Sequence, residues 1–313
     1  VIKMPSFINY GKLRVSYATT GRDPRVPYVK ANRFSPSTFT GGGFTPFVTQ
    51  GNPQLDAEFS KQFETGFEMK FLKNRLGIDF AYYDNRTTNQ LINPRISYAS
   101  GAILQWLNGG TVTNRGFEFQ LTANPVRQKN FNWDMTVNFG RNVNEILEMP
   151  SRLPQFYNSD TWIADVRNIS VTGGSAFQLA SNRYQRNTNG DLLISTTTGL
   201  PIIVGDYTPI ADRQPDFQIG FINSFSFAKN WTLSFNLDMR RGGDIYNGTE
   251  QFLYQRGRSL KTANREEPRV IRGVLNDGLQ NTANPTPNNI VITPLYRTDY
   301  YTTVVAEDFI ERD

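Results

Sequence analysis

Glu64, Glu68, Asp79 and Glu118 each occupy a polar position in a segment where every second residue is apolar. A pair of carboxylates held about 5 to 9.5 Å apart across a cleft is what glycoside hydrolysis needs, so these four are the residues with which the chain could do chemistry. Little else is on offer. The 313 residues include no histidine and no cysteine, which excludes Ser-His-Asp and Cys-His nucleophile systems, His-based zinc or iron sites, thiolate chemistry and a disulfide framework. Carboxylates also line wet, polar surfaces of membrane channels, and that is the expectation here: no enzyme, no cofactor and no metal.

Two further stretches invite a chemical reading. Gln185-Arg186-Asn187-Thr188-Asn189-Gly190 has the outline of a calcium loop, but its ligand positions are uncharged and Thr196 stands where the bidentate Glu belongs. Asn189-Gly190 between Tyr184 and Leu192-Leu193-Ile194 reads instead as a two-residue hairpin turn. Arg256, Arg258, Lys261, Arg265, Arg269 and Arg272 gather in one stretch with Glu266 and Glu267 between them. No folded module interleaves them with stacking aromatics, so nucleic acid is not an expected partner. They read as a solvated loop face, with lipopolysaccharide phosphates as a second reading.

The elements that carry these residues are strands. Phe217, Ile219, Phe221, Phe225 and Phe227 alternate with Gln218, Gly220, Ser224 and Ser226; after a short turn Trp231, Leu233, Phe235, Leu237 and Met239 alternate with Thr232, Ser234, Asn236, Asp238 and Arg240. Side chains on a strand alternate between faces, so each segment has one apolar and one polar face. Phe63 to Phe71, including Phe67 and Met69, returns through Leu72-Lys73-Asn74 into Leu76, Ile78, Phe80 and Tyr82. Phe117, Phe119, Leu121 and Ala123 turn through Asn124 to Asn130 into Phe131, Trp133, Met135, Val137 and Phe139. Lys12 to Thr20 is a seventh strand, with Leu13, Val15 and Tyr17 on its apolar side.

Each strand spans roughly 9 to 11 residues, the length a tilted strand needs to cross a bilayer. The tight turns share one end of the sheet; the other end carries Gly21 to Glu58, Asp84 to Val112, Asn142 to Pro215 and everything after Arg241. A soluble β-sandwich also alternates apolar and polar residues. Strand length, loop asymmetry and polar faces rich in Asn, Thr, Ser, Gln and Gly favour an all-β, antiparallel transmembrane barrel with short periplasmic turns and long extracellular loops. Lipid would then meet Phe67, Met69, Phe80, Phe119, Leu121, Met135, Val137, Ile219, Phe221, Leu233 and Phe235, with Tyr82, Tyr83, Phe131, Trp133 and Trp231 in the interfacial girdles. A mean hydropathy of -0.48 and no apolar run of about 20 residues exclude helical spans. The charge balance, 33 basic against 28 acidic residues, is mild for this length.

No signal peptide can be read at Val1, and seven strands are fewer than the even count, from about 8 upward, of closed single-chain barrels. The expectation is a single domain over 1–313 that is part of a larger barrel.

At this point the residues resemble a family. Gly11-Lys12-Leu13-Arg14-Val15-Ser16-Tyr17, Gly51-Asn52-Pro53-Gln54-Leu55, Phe63-Glu64-Thr65-Gly66-Phe67-Glu68, Asn74-Arg75-Leu76-Gly77-Ile78-Asp79, Asn114-Arg115-Gly116-Phe117-Glu118, Pro215-Asp216-Phe217 and Gly242-Gly243-Asp244-Ile245-Tyr246-Asn247 are similar, in order, to SusC/RagA-type TonB-dependent transporters of Bacteroidota. The resemblance implies a plugged outer-membrane barrel of about 22 strands. It also implies import of glycans or peptides energised through TonB, and a SusD-like surface lipoprotein as lid; the plug, the TonB-contact segment and the last strands have no counterpart in these residues. A passive porin or a lidless TonB receptor remains the alternative. In the long loops, Trp106, Phe156, Tyr157 and Trp162 either stack on substrate or pack the loops together.

Overall fold

The computed structural model describes residues 5–24, 26–38, 40–158, 166–228, 230–292 and 304–312. The chain gathers into two compact units, one of Val1–Asn158, Ser170–Ala176 and Gln214–Gly243, the other of Ser159–Ile169, Phe177–Arg213 and Asp244–Asp313.

The first unit is built on a seven-stranded sheet of β1 (Ile8–Arg22), β2 (Glu58–Phe71), β3 (Leu76–Thr88), β4 (Thr111–Arg127), β5 (Phe131–Glu148), β6 (Phe217–Phe227) and β7 (Trp231–Arg241). Each strand pairs antiparallel with the next in chain order. β1 and β7 are outermost, and each has one edge without a partner among the described residues.

Register is what turns seven alternating segments into one two-faced surface. Phe67 pairs with Phe80, Phe80 with Phe119, Phe119 with Phe139, Phe139 with Ile219 and Ile219 with Met239. One level nearer the turns the row is Met69, Ile78, Leu121, Val137, Phe221 and Leu237, and the next runs Leu76, Ala123, Met135, Asn223 and Phe235. Phe225 faces Leu233 beyond them. A one-residue slip in any strand would move its apolar set to the polar side. Stacked or tilted rings run from Phe67 through Phe80, Phe117 and Phe139 to Phe217, with centroids 5.5 to 6.2 Å apart. A second ring cluster, Phe131, Trp133, Phe225 and Phe235, lies toward the turns. The one amide in these rows, Asn223, is 1% exposed and accepts the Trp133 indole N–H at 3.0 Å.

Three sequence expectations need correction. Five of the seven strands are longer than 9 to 11 residues, reaching 18 in β5. Most of the extra length lies toward the loops, where the face that is apolar below turns charged: Asp84 pairs with Arg115 at 3.0 Å, and Arg141 and Arg241 sit in the adjoining row opposite Phe117 and Phe217. The ladder continues past the apolar pattern that marks it in the sequence. Tyr82 and Tyr83 are consequently in mid-strand, and Tyr83 is on the polar face. The third correction concerns the β4–β5 turn, which is Gln128 to Asn130 and not Asn124 to Asn130. A bulge between Ala123 and Val126 takes Pro125, which has no N–H to give, out of the ladder, and the strand resumes to Arg127.

The turn from β2 to β3 places Leu72, Lys73 and Asn74 all in the left-handed region, at φ of 51°, 56° and 63°. Each costs about 1 to 2 kcal/mol in a residue bearing a Cβ. Offsetting contacts surround it: Leu72 N–H donates to Phe7 O, Asn74 N–H to Asn9 Oδ1, and the Arg75 guanidinium to the Asn124 and Pro125 carbonyls.

The second unit has its own small core of Val166, Leu179, Ile210, Ala211 and Ala306, with Tyr246 and Ile310 packed against it. Strand Gln178–Tyr184 pairs with Arg167–Val171 on one side and Ile203–Asp212 on the other. Helix Gly248–Gln255 is capped by the Asn247 side chain, and its Tyr254 meets Phe309 edge-on at 5.6 Å.

Candidate functional site

The polar side of the sheet carries a hollow of about 840 Å³. Arg14, Glu64, Asp79, Glu118, Asp238 and Arg240 bring both signs of charge to it, and Gln120, Asn138 and Gln218 bring amides. The mixture offers hydrogen bonds to water and polar solutes in many orientations and matches no single ion.

Two cross-strand ties shape this surface, and each passes over a glycine. Arg14 on β1 reaches past β2 to grip Asp79 on β3 with both nitrogens, at 3.1 and 2.5 Å. The strand between has Gly66 at the crossing, where an added Cβ would lie 3.2 Å from Arg14 Nη2 and 2.3 Å from the Phe80 carbonyl oxygen. Likewise the Tyr83 hydroxyl on β3 donates past β4 to Asn142 Oδ1 on β5 at 3.1 Å. Gly116 lies beneath, where a Cβ would come within 2.5 Å of that hydroxyl and 2.3 Å of the Arg141 carbonyl oxygen. Both side chains of the Arg14–Asp79 pair remain about a third exposed, at 29% and 37%, so solvent screening keeps its stabilisation small. Its larger effect is to fix where two charges sit.

The four carboxylates from the sequence are all on this face. Asp79 is held by Arg14 and Glu68 by Lys70 at 3.1 Å, while Glu64 and Glu118 line the hollow. The eleven residues expected to meet lipid share the opposite, apolar face.

The loop aromatics are not gathered into one place. Phe156 lines a separate hollow of about 250 Å³ in the first unit with Leu91, Ile92, Asn93, Val112 and Met149. Trp106 lies next to the pairing of Leu91–Ile92 with Leu107–Asn108 but does not line that hollow. Tyr157 adjoins Phe156 on a short strand, Gln155–Tyr157. Trp162 lies outside the described residues.

In the second unit, Tyr184 donates its hydroxyl to Asp308 Oδ2 at 2.5 Å, and the Val305 N–H donates to the same oxygen at 3.2 Å. Burial pushes the Asp308 carboxyl above the ordinary carboxylate range although both bonds favour its charge; burial and the Asp308 charge push the Tyr184 phenol upward. The pair sits beside Arg186, Arg272 and Tyr254 in a hollow of about 530 Å³. No periodicity links residues 184 and 308, so the pairing has no signal in the sequence. The Asn187–Asp191 turn is a hairpin, as expected, but of a different kind. Asn187 Oδ1 accepts the N–H groups of Asn189 and Asp191, and Gly190 N–H donates to Asn187 O. Asn187 N–H donates to Asp191 O, so the chain turns over three residues, Thr188 to Gly190, rather than two, with Gly190 at a φ of 88° and Asn187 as organiser.

Residues 6–238 match the family described as TonB dependent receptor-like, beta-barrel. Among curated proteins, TonB-dependent receptor P3 of Formosa agariphila is 26% identical over 275 residues, covering 79% of this chain and 27% of its own length. TonB-dependent receptor SusC of Bacteroides thetaiotaomicron is 31% identical over 153 residues, covering 44% of this chain and 15% of its own. The chain therefore spans less than a third of these relatives. Among solved structures, the RagAB peptide transporter superposes on 99% of this chain and 34% of its own, with a TM-score of 0.68 and 19% identity, a likeness of fold.

Proposed function

The chain belongs to the TonB-dependent receptor-like β-barrel family of the outer membrane, and we propose that its seven-stranded sheet is part of the wall of a transporter that imports glycans or peptides. In this reading the apolar face meets lipid, the polar face lines the lumen, the turns lie in the periplasm and the long connections between strands lie outside the cell. The observation that carries it is the continuity of the apolar rows from β2 to β7, with Leu13 of β1 joining the row of Phe67, bounded by turns below and by charge above. About eight residue steps of ~3.3 Å along strands tilted by about 40° give a band on the order of 20 Å tall, close to the apolar belt of outer-membrane barrels. Phe67, Met69, Phe80, Phe119, Leu121, Met135, Val137, Ile219, Phe221, Leu233 and Phe235 are its lipid-facing residues, and Trp106, Phe156, Tyr157 and Trp162 its candidate substrate contacts.

Two partners belong to the same proposal: TonB, which supplies energy from the inner membrane, and a SusD-like lipoprotein over the loop end. The likeness in sequence to a SusC protein and in fold to RagAB supports the pairing. The long connections between the strands give such a lid a surface to rest on, and a stable lid should bury more than about 1,000 Å². Gentle detergent extraction of native membranes, followed by mass spectrometry, should recover the full-length protein with a stoichiometric lipidated companion. Repeated recovery of a lone barrel would favour a lidless TonB receptor or a porin.

A further inference from the structure

We propose that the turn end of the sheet is a docking surface for the phosphodiester headgroups of anionic glycerophospholipids in the periplasmic leaflet. The inference rests on the placement of the turns proposed above. Leu72 to Arg75 and Arg127 to Asn130 bring Lys73, Arg75, Arg127 and Lys129 to this rim, and neither turn contains an Asp or Glu.

Some cations elsewhere on the sheet are tied to carboxylates. Arg14 is paired with Asp79 on the polar face, and at the loop end Arg115 is paired with Asp84. At the turn end Arg75 is occupied by the Asn124 and Pro125 carbonyls, whereas Lys73, Arg127 and Lys129 are exposed and have no ion-pair partner among the described residues. The turn that carries Lys73 is held rigidly by its neighbours, so the charge is presented from a fixed backbone. Phe7 and Leu72, at 54% and 58% exposure and joined by a backbone hydrogen bond, supply apolar surface beside Lys73. Basic side chains with flexible stems next to exposed rings match the boundary between acyl chains and headgroups. The apolar rows end at the same level, so the charges fall where a lipid phosphate would be. A basic residue near an anionic leaflet typically raises binding about fivefold.

The test uses the full-length protein reconstituted into nanodiscs of phosphatidylcholine with phosphatidylglycerol, with co-purifying lipid counted by native mass spectrometry. Phosphatidylglycerol should be retained in preference to phosphatidylcholine. Combining Lys73→Gln, Arg127→Gln and Lys129→Gln should lower that preference on the order of a hundredfold, while Lys30→Gln with Arg152→Gln, exposed in the long connections, should leave it unchanged. Resistance of the folded barrel to unheated SDS reports insertion separately. A variant that inserts normally and still prefers phosphatidylglycerol, or a parent that inserts and shows no preference, overturns the headgroup site alone. Failure of the parent to insert into any lipid overturns the membrane placement beneath it.

Discussion

Replacing Phe221 with arginine is expected to destabilise the barrel of the full-length protein by about 2 to 4 kcal/mol, the usual cost of a cation near the midplane on the lipid face of an outer-membrane barrel. Phe221 lies between Val137 and Leu237 in the middle apolar row, with a further row on either side. An arginine there has about the longest path to water of any position in the band. The same substitution at Asn138, which pairs with Gly220 on the polar face, puts the charge into a wet hollow already lined by ionic groups. Its cost is the hydrogen bond from Gln120 Nε2, 2.9 Å long, worth about 1 kcal/mol. Reversible unfolding of the full-length protein in vesicles, followed against urea, measures both. Equal losses at the two positions would mean that the faces do not meet different solvents.

The second large effect is expected at a residue with no side chain. Gly116→Ala should cost about 3 kcal/mol, in the upper range for overpacking, because its new Cβ meets the Arg141 carbonyl oxygen at 2.3 Å and the Tyr83 hydroxyl at 2.5 Å. Neither can yield cheaply: one is backbone in a paired strand, and the other would have to release Asn142. Gly140, on the polar face of the next strand, has nothing within 4 Å of an added Cβ. Gly140→Ala should therefore be neutral or stabilising by about 0.5 to 1 kcal/mol, since glycine is costly in a strand interior. The same urea titration compares them, and a Gly116→Ala protein as stable as Gly140→Ala would show that the Tyr83–Asn142 tie does not constrain β4.

The contrast between these glycines marks how far the sequence could be read. The faces of Phe217 to Phe227 and Trp231 to Arg240 were legible because a period of two, sustained over five side chains, marks a two-faced strand and fits no helix. The resemblance supplied Glu64-Thr65-Gly66-Phe67-Glu68 and Asn114-Arg115-Gly116-Phe117-Glu118 as motifs, but not their reason. That reason is non-local: Gly66 is needed for a contact between residues 14 and 79, and Gly116 for one between 83 and 142. Strand ends beyond Tyr82 and Phe117 were hidden because Asp84, Arg86, Arg115 and Thr113 break the alternation while the backbone ladder continues. The second unit was least legible. Its core joins Val166, Leu179, Ile210 and Ala306 from short segments far apart in the chain, none long enough to show a period.

The central claim is that one face of this sheet meets lipid and the other a wet lumen, and spin-label accessibility tests it residue by residue. The chain has no cysteine of its own, so single cysteines at 218, 219, 221, 222, 236, 237 and 238 of the full-length protein in vesicles can each carry a nitroxide. Labels at Ile219, Phe221 and Leu237 should collide with membrane-dissolved oxygen and be shielded from a water-soluble nickel chelate, with the order reversed at Gln218, Ile222, Asn236 and Asp238. Loss of that alternation, with the labels at 219, 221 and 237 shielded from both reagents as in the dry interior of a soluble sandwich, would contradict the account.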